Sequence, residues 1–94
     1  NNLKKLDSSD VVITDTWESM GEIVNEKIIK DFSSYTVNQK MMNVFGNECI
    51  FMHCLPANRG QEVAPEVIDG PQSVVWDEAQ NRLHIQKEII KWCL

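Results

Sequence analysis

Three short apolar runs divide the chain, and each is continuous rather than alternating in polarity. They lie at residues 11–14, 49–52 and 73–76. Continuous apolar runs are typical of strands that are buried on both faces of a parallel sheet. The segments between them, residues 15–48 and 55–72, are long enough for helical crossovers and too long for tight hairpins. The pattern therefore predicts successive β-α-β units.

Helical periodicity and capping residues predict the first two helices. Ser19 and Glu22 have the spacing of a capping box, and apolar residues recur after them at helical spacing, so we expect a helix over about 20–31. The same capping form begins at Thr36, and Gly46 stands where a glycine commonly ends a helix. A second helix between these two residues would lead into the second strand.

Two more helices are predicted in the last third of the chain. Pro65 favours the first position of a short helix, and Asp77 is a suitable N-cap for a last helix over about 78–94. The apolar side chains of the last helix form two stripes: Leu83, Ile90 and Leu94, and Ile85, Ile89 and Trp92. A single sheet buries only one stripe, so we expect a further domain or subunit to cover the other.

Together these elements predict an α/β fold. We expect a Rossmann-like, three-layer lobe with a parallel sheet of about three strands and three to four helices. The chain has 94 residues and no linker or low-complexity segment, so we treat residues 1–94 as one domain. It begins with Asn1 rather than with Met, and we interpret it as a piece of a longer protein.

The charge and composition narrow the range of partners and compartments. Nine basic and fourteen acidic residues give a net charge of −5, and the longest basic cluster is Lys4-Lys5. Nucleic acid and anionic membranes are therefore poor partners. No apolar run approaches the roughly 20 residues that cross a bilayer. Three cysteines are too few for a disulfide scaffold, so we expect a cytoplasmic protein.

A polar cluster follows each predicted strand. The clusters cover residues 15–21, 53–60 and 77–82. Because the carboxyl ends of parallel strands meet at one edge of a sheet, where α/β proteins bind ligands, the clusters predict a small-molecule site.

The adjacent His53 and Cys54 also invite a zinc hypothesis, with Cys49 and His84 as further ligands. Their spacing matches none of the usual ligand motifs, so we expect no metal, and no feature indicates a cofactor. We expect Cys49 and Cys93 to be inert buried thiols.

The amino-acid sequences of the three clusters indicate the function more specifically than their positions do. Asp-Thr-Trp-x-Ser-Met-Gly begins at Asp15, His-Cys-Leu-Pro at His53, and Glu-Ala-x-Asn-Arg at Glu78. In this order, and over about residues 10–94, the strings resemble the ornithine carbamoyltransferase family. The Ser-Met-Gly and His-Cys-Leu-Pro motifs distinguish ornithine enzymes from the related aspartate carbamoyltransferases. The resemblance implies the C-terminal part of the ornithine-binding domain, and hence a fold that is incomplete relative to the family domain.

The family transfers a carbamoyl group from carbamoyl phosphate to the δ-amine of L-ornithine and releases L-citrulline and phosphate. By resemblance, Asp15 holds the α-amino group of ornithine, and Ser19 and Met20 contact the same end of the amino acid. A carboxylate suits this role because charge-assisted hydrogen bonds to an ammonium are short and strong. Cys54 would lie beside the attacking δ-amine and help to hold or deprotonate it, without forming a covalent intermediate.

The resemblance assigns the carbamoyl-phosphate contacts to a partly different set of residues. Cys54 again lies at this end of the site, and Leu55 would accept a hydrogen bond from the carbamoyl NH₂ group with its backbone carbonyl. Arg82 would bind the carbonyl oxygen, where a guanidinium stabilises the negative charge that develops in the tetrahedral transition state. The predicted catalytic residues are therefore Cys54 and Arg82.

Two motifs of the family are missing from the sequence. Neither Ser-x-Arg-Thr-Arg nor His-Pro-x-Gln, both of the carbamoyl-phosphate domain, occurs in the 94 residues. The resemblance thus implies that the carbamoyl-phosphate-binding domain is absent and that the chain alone is inactive. The parent enzyme is expected to be a homotrimer that uses L-ornithine and carbamoyl phosphate.

Three alternatives remain open at this stage. The chain could be a non-catalytic α/β module that binds an amino acid. It could also belong to a carbamoyltransferase for a related amine, such as putrescine or an acylated ornithine. A phosphoacceptor signalling domain that uses Asp15 is disfavoured, because that class needs a further acidic pair and a lysine at a strand end.

Overall fold

The structure is a computed structural model that describes residues 9–18, 21 and 26–94. Its elements are, in chain order, β1 (Val11–Thr14), α1 (Glu26–Phe32), a 3-10 turn (Ser33–Tyr35), α2 (Gln39–Phe45), β2 (Ile50–His53), α3 (Pro65–Ile68) and α4 (Val75–Cys93). Helices follow each of the two parallel strands, and the predicted α/β class is confirmed.

The sheet of the described residues consists of β1 and β2, which pair in parallel. The register runs from Val11 opposite Ile50 to Thr14 opposite His53. Side chains of β2 alternate, so that Phe51 and His53 are fully buried while their neighbours are partly exposed. The expectation of burial on both faces was wrong for β1, because Val11 and Ile13 are exposed.

The prediction of a third strand at residues 73–76 was wrong. Ser73 forms only an isolated parallel bridge with Phe51, whose carbonyl accepts the N–H of Val74 at 3.0 Å. The chain then turns at once into α4, in which Val75 is buried and Trp76 is 65% exposed. A four-residue apolar run is compatible with either a strand or the start of a buried helix, and here residues 75 and 76 are helical.

The predicted start of α2 is displaced by a different cap. Asn38, not Thr36, is the N-cap of α2, and its side-chain oxygen accepts the N–H of Met41. Thr36 instead donates its hydroxyl to the carbonyl of Gln61 at 2.7 Å. The predicted end of α2 is confirmed, because Gly46 follows the helix with a φ of 91°, a conformation that favours glycine.

The caps of the other helices gave mixed results. Pro65 occupies the first turn of α3 as predicted. Asp77 is not the N-cap of α4, because the helix begins two residues earlier and Asp77 lies in its first turn, where an acidic side chain favours the helix dipole. The capping box at Ser19 and Glu22 falls outside the described residues, which include the predicted first helix only from Glu26.

The core lies between β2, α2, α3 and the start of α4. Its buried apolar residues are Val37, Met42, Cys49, Phe51, Val63, Ala64, Val67, Ile68 and Val75. A bridge between Val37 and Val63 closes this core beside α2. The expected burial of the Cys49 thiol is confirmed, whereas the expected burial of Cys93 was wrong, because no described residue covers the last turns of α4.

Helix α4 differs from the rest of the lobe. It packs on β2 through its first turn, and every residue from Ala79 onward is exposed. Both predicted apolar stripes are thus uncovered within the part of the chain that the structure describes, with Trp92 88% exposed. Among the described helices, none is long and apolar enough to cross a membrane.

Candidate functional site

The parallel register brings two of the three motifs together. Because Thr14 lies opposite His53, the next residues along the two strands, Asp15 and Cys54, leave the same edge of the sheet side by side. The Cys54 thiol donates a hydrogen bond to Oδ1 of Asp15 at 3.3 Å. Both side chains are exposed, and we call them the exposed pair.

Hydrogen bonding shifts the pKa values of the exposed pair in opposite directions. The backbone N–H of Thr16 donates to Oδ1 of Asp15 at 2.7 Å, and this bond, followed by the Cys54 thiol, lowers the pKa of Asp15. The same carboxylate raises the pKa of Cys54, because the thiol donates to it and a thiolate would be repelled. At neutral pH the pair is therefore a carboxylate and a thiol, which suits binding an ammonium better than covalent attack.

An open pocket of about 380 Å³ lies at the exposed pair. Its lining consists of Asp15, Thr16, Glu18, Cys54, Leu55, Pro56 and Asn58. The lining contains two carboxylates and no cationic side chain, so its charge favours a ligand with a positive group. The expectation of a site at the carboxyl ends of the strands agrees with this position.

The loop after β2 has an unusual backbone. Leu55 has a φ of 52°, in the left-handed region that side chains with a Cβ rarely adopt, and its peptide bond to Pro56 is cis. The backbone N–H of Leu55 donates to Nδ1 of His53 at 2.9 Å. The His53 ring therefore fixes the loop at the residue whose carbonyl is predicted to contact carbamoyl phosphate.

Behind the loop lies a second pair, His53 and Glu62, both with 0% exposure, which we call the buried pair. Nε2 of His53 lies 3.2 Å from Oε1 of Glu62, and the same oxygen accepts the backbone N–H of Asn58 at 2.6 Å. From the sequence we expect His53 to orient this loop by a hydrogen bond, whereas Glu62 was not predicted. No local pattern marks that glutamate, because its role depends on a contact nine residues away.

The third motif joins the site through the first turn of α4. Oε2 of Glu78 accepts the backbone N–H of His53 at 3.0 Å. Arg82 follows one helical turn later, on the same face of the helix and about 6 Å further along its axis. Arg82 is exposed and does not line the pocket formed by the described residues.

Several predicted site residues need separate mention. Ser19 and Met20 lie outside the described residues. Ligand atoms of Asp15, His53 and Cys54 lie within 4.8 Å of one another. However, both ring nitrogens of His53 are already engaged by Leu55 and Glu62, so this cluster offers no free imidazole nitrogen to a metal. The earlier zinc hypothesis involved Cys49 and His84, and neither belongs to this cluster.

These features define an α/β domain with an open pocket at the carboxyl ends of its parallel strands, the edge at which such sheets commonly bind ligands. The model of the aspartate/ornithine carbamoyltransferase Asp/Orn binding domain matches residues 1–93. The chain belongs to this family, which confirms the resemblance found in the three motifs.

Individual relatives agree with this assignment. The ornithine carbamoyltransferase of Rhodopseudomonas palustris is 58% identical over 86 residues, which are 92% of this chain and 28% of that enzyme. The solved structure of the Pyrococcus furiosus ornithine carbamoyltransferase has a TM-score of 0.84 at 47% identity, and the match covers 94% of this chain and 28% of that one. An N-acetyl-L-ornithine transcarbamylase complexed with carbamyl phosphate and N-succinyl-L-norvaline has a TM-score of 0.74 at 33% identity, over 95% and 28% of the two chains. The chain thus spans little more than a quarter of the length of these relatives.

Proposed function

We propose that the chain forms the C-terminal part of the ornithine-binding domain of an ornithine carbamoyltransferase. The whole enzyme would transfer the carbamoyl group of carbamoyl phosphate to the δ-amine of L-ornithine, giving L-citrulline and phosphate. The observation that carries this proposal is the contact between Asp15 and Cys54 at the mouth of the pocket. That contact joins the two motifs that distinguish ornithine enzymes within the family.

The exposed pair would bind the amino acid. The Asp15 carboxylate would hold the α-ammonium group, and its lowered pKa keeps it ionised for this purpose. Ser19 and Met20 would contact the same end of ornithine. Cys54 would lie beside the δ-nitrogen, which must lose a proton before its lone pair attacks the carbonyl carbon. The new carbon–nitrogen bond forms as the carbon–oxygen bond to phosphate breaks, and phosphate leaves with the electron pair and takes up the proton that the δ-nitrogen releases.

Leu55 and Arg82 would act on carbamoyl phosphate. The backbone carbonyl of Leu55 would accept a hydrogen bond from the carbamoyl NH₂ group, and its N–H is already held by His53. Arg82 would stabilise the negative charge that develops on the carbonyl oxygen. The bond between Glu78 and His53 supports this role, because it fixes the first turn of α4, one turn before Arg82.

The phosphate group would be bound by a domain outside this chain. Among the described residues, the pocket lining contributes no cation, and Arg59 in the neighbouring loop is engaged by Asp69 through bonds of 2.7 and 2.9 Å. A phosphate dianion needs several donors or cations, so a carbamoyl-phosphate domain must supply them. That domain and further subunits of a homotrimer would also cover the apolar stripes of α4. We place the enzyme in the cytoplasm.

A graft tests the proposed activity. The chain would replace the matching segment of the Rhodopseudomonas palustris enzyme, which aligns with it over 86 residues. We expect the purified graft to form citrulline from L-ornithine and carbamoyl phosphate, and its Asp15→Asn variant to lose at least about 100-fold in kcat/KM for ornithine. The isolated chain should form none. A folded graft without activity, or steady citrulline formation by the isolated chain, would contradict the proposal.

A second candidate is transfer to an acylated ornithine, because the N-acetyl-L-ornithine transcarbamylase matches the fold nearly as well. An acylated α-nitrogen carries no positive charge and would leave the Asp15 carboxylate unpaired. We therefore expect the graft to prefer L-ornithine to N-acetyl-L-ornithine. A preference for the acylated substrate would favour the second candidate, and binding of L-ornithine without turnover would favour a non-catalytic module.

A further inference from the structure

The buried pair lies next to the pocket without lining it. His53 and Glu62 are both fully buried, and neither belongs to the residues that line the pocket. Burying a carboxylate and an imidazole is unfavourable unless their polar atoms are bonded. Their bonds run to the backbone of the loop after β2, which carries the predicted carbamoyl contact. The pair therefore links the core to the loop that borders the pocket.

The bonds of the pair determine the tautomer of His53. The backbone N–H of Leu55 is a donor only, so Nδ1 of His53 must be the acceptor in their 2.9 Å bond. The ring proton therefore lies on Nε2, which points at Oε1 of Glu62 at 3.2 Å. Glu62 thus selects the one neutral tautomer in which the ring can accept from the loop.

Glu62 holds the other end of the same loop. Its Oε1 also accepts the N–H of Asn58 at 2.6 Å, so one carboxylate oxygen restrains both ends of residues 55–58. The backbone of Glu62 is itself anchored, because its carbonyl accepts the N–H of Val37 at 2.9 Å. The loop needs such restraint, since Leu55 has a positive φ of 52° that its side chain disfavours.

We propose that His53 and Glu62 are positioning residues of the carbamoyl transfer. Glu62 fixes the ring and tautomer of His53, and His53 fixes Leu55, so that the Leu55 carbonyl and the Cys54 thiol face the pocket in the reactive arrangement. This inference rests on the proposed function for its effect on catalysis. The arrangement of the loop itself is a property of the chain and is testable without turnover.

Two substitutions of His53 separate positioning from packing. In His53→Asn the amide oxygen takes the place of Nδ1 and can still accept from Leu55, while the contact with Glu62 is lost. In His53→Gln the amide nitrogen takes the place of Nε2 and can still donate to Glu62, while the acceptor for Leu55 is lost. Both variants leave a smaller side chain in the same buried space, so they form a matched pair.

In the graft we expect His53→Gln to lower kcat by about 100-fold and His53→Asn by roughly 10-fold, each with a smaller change in the KM for ornithine. A displacement of the loop acts on the reacting atoms, whereas ornithine binding at Asp15 is retained. Equal losses in the two variants, or a larger loss in His53→Asn, would overturn the proposal. So would a loss confined to KM.

Glu62 has its own matched series. Glu62→Gln keeps a carbonyl oxygen where Oε1 accepts both bonds, and we expect it to retain kcat within about 5-fold, whereas Glu62→Ala should lose about 100-fold. Glu66→Gln and Glu66→Ala are the controls, because Glu66 is exposed in the first turn of α3. Equal activity of Glu62→Ala and Glu66→Ala would refute the role of Glu62.

Nuclear magnetic resonance of the chain supplies a readout that does not depend on turnover. We expect the His53 ring to be protonated at Nε2 and not at Nδ1. The amide proton of Leu55 should move upfield in His53→Gln and keep its position in His53→Asn. A ring protonated at Nδ1 overturns the positioning role even in an active graft. An inactive graft with the expected ring and amide signals overturns the proposed function and the catalytic effect, but leaves the loop restraint established.

Discussion

The exposed pair and the buried pair are built from similar groups but placed in opposite environments. Each pair sets a carboxylate against the side chain of one of two consecutive residues, His53 and Cys54. The exposed contact is a single bond of 3.3 Å at the mouth of a pocket. The buried contact belongs to a network that holds two backbone N–H groups and has no access to solvent. A strand that ends at the boundary of the core thus separates a side chain that faces the pocket from a side chain that restrains the loop.

The largest expected difference between the pairs concerns stability. Glu62→Ala removes the acceptor of the buried His53 ring and of the part-buried Asn58 N–H, and the two unsatisfied donors should lower the free energy of unfolding by about 3 kcal/mol. Asp15→Ala should leave it close to that of the unsubstituted chain, because the side chain is exposed. Urea unfolding followed by circular dichroism measures both, with Glu66→Ala as the control. Similar losses at Glu62 and Asp15 would contradict the distinction.

Thiol reactivity should respond to the exposed pair alone. Because the Asp15 carboxylate raises the pKa of Cys54, Asp15→Asn should increase the thiolate fraction at pH 8. We expect Cys54 to react with iodoacetamide about 5-fold faster in that variant, measured by mass spectrometry in a Cys93→Ser background. Glu62→Gln serves as the matched change in the buried pair and should leave the rate unchanged. An unchanged rate in Asp15→Asn would show that the carboxylate does not restrain the thiol.

The smallest expected effect is on the titration of Asp15. The N–H of Thr16 lowers the pKa of this carboxyl most and the Cys54 thiol next, so Cys54→Ala should raise the pKa of Asp15 only part of the way to its ordinary value. A group whose pKa is lower in the folded chain contributes stability above its unfolded pKa and loses it as the pH falls through the folded one. Carboxyl chemical shifts across the acid range measure the change. No shift in Cys54→Ala would leave Thr16 as the sole cause.

The exposed pair was predictable from the sequence, whereas the buried pair was predictable only in part. Parallel strands bring their carboxyl ends to one edge, so recognising two strands was enough to place Asp15 beside Cys54. Glu62 lies in a polar turn with no periodicity, and its burial follows from the way residues 59–63 fold back over His53. Such a contact depends on tertiary packing, which a local pattern does not encode.

The errors in the predicted elements have a common physical origin. The apolar run at residues 73–76 satisfies both a strand and the start of a buried helix, and only the packing of Val75 into the core decides between them. Thr36 and Asn38 are both good caps, and Thr36 is used instead to bond Gln61 across the core boundary. Local propensity identified the residues that can start a helix or form a strand, and tertiary contacts determined which of these possibilities each residue adopts.

The register of β1 against β2 makes the site intolerant of a change in strand length. Thr14 faces His53, and successive side chains of a strand point to opposite faces of the sheet. One residue inserted into β2 before His53 would move the imidazole to the position of Cys54 at the pocket and the thiol one residue further along the loop, so both pairs would be lost together. The strand should therefore tolerate some changes of side chain, whereas an insertion or deletion that changes its number of residues should disrupt the site.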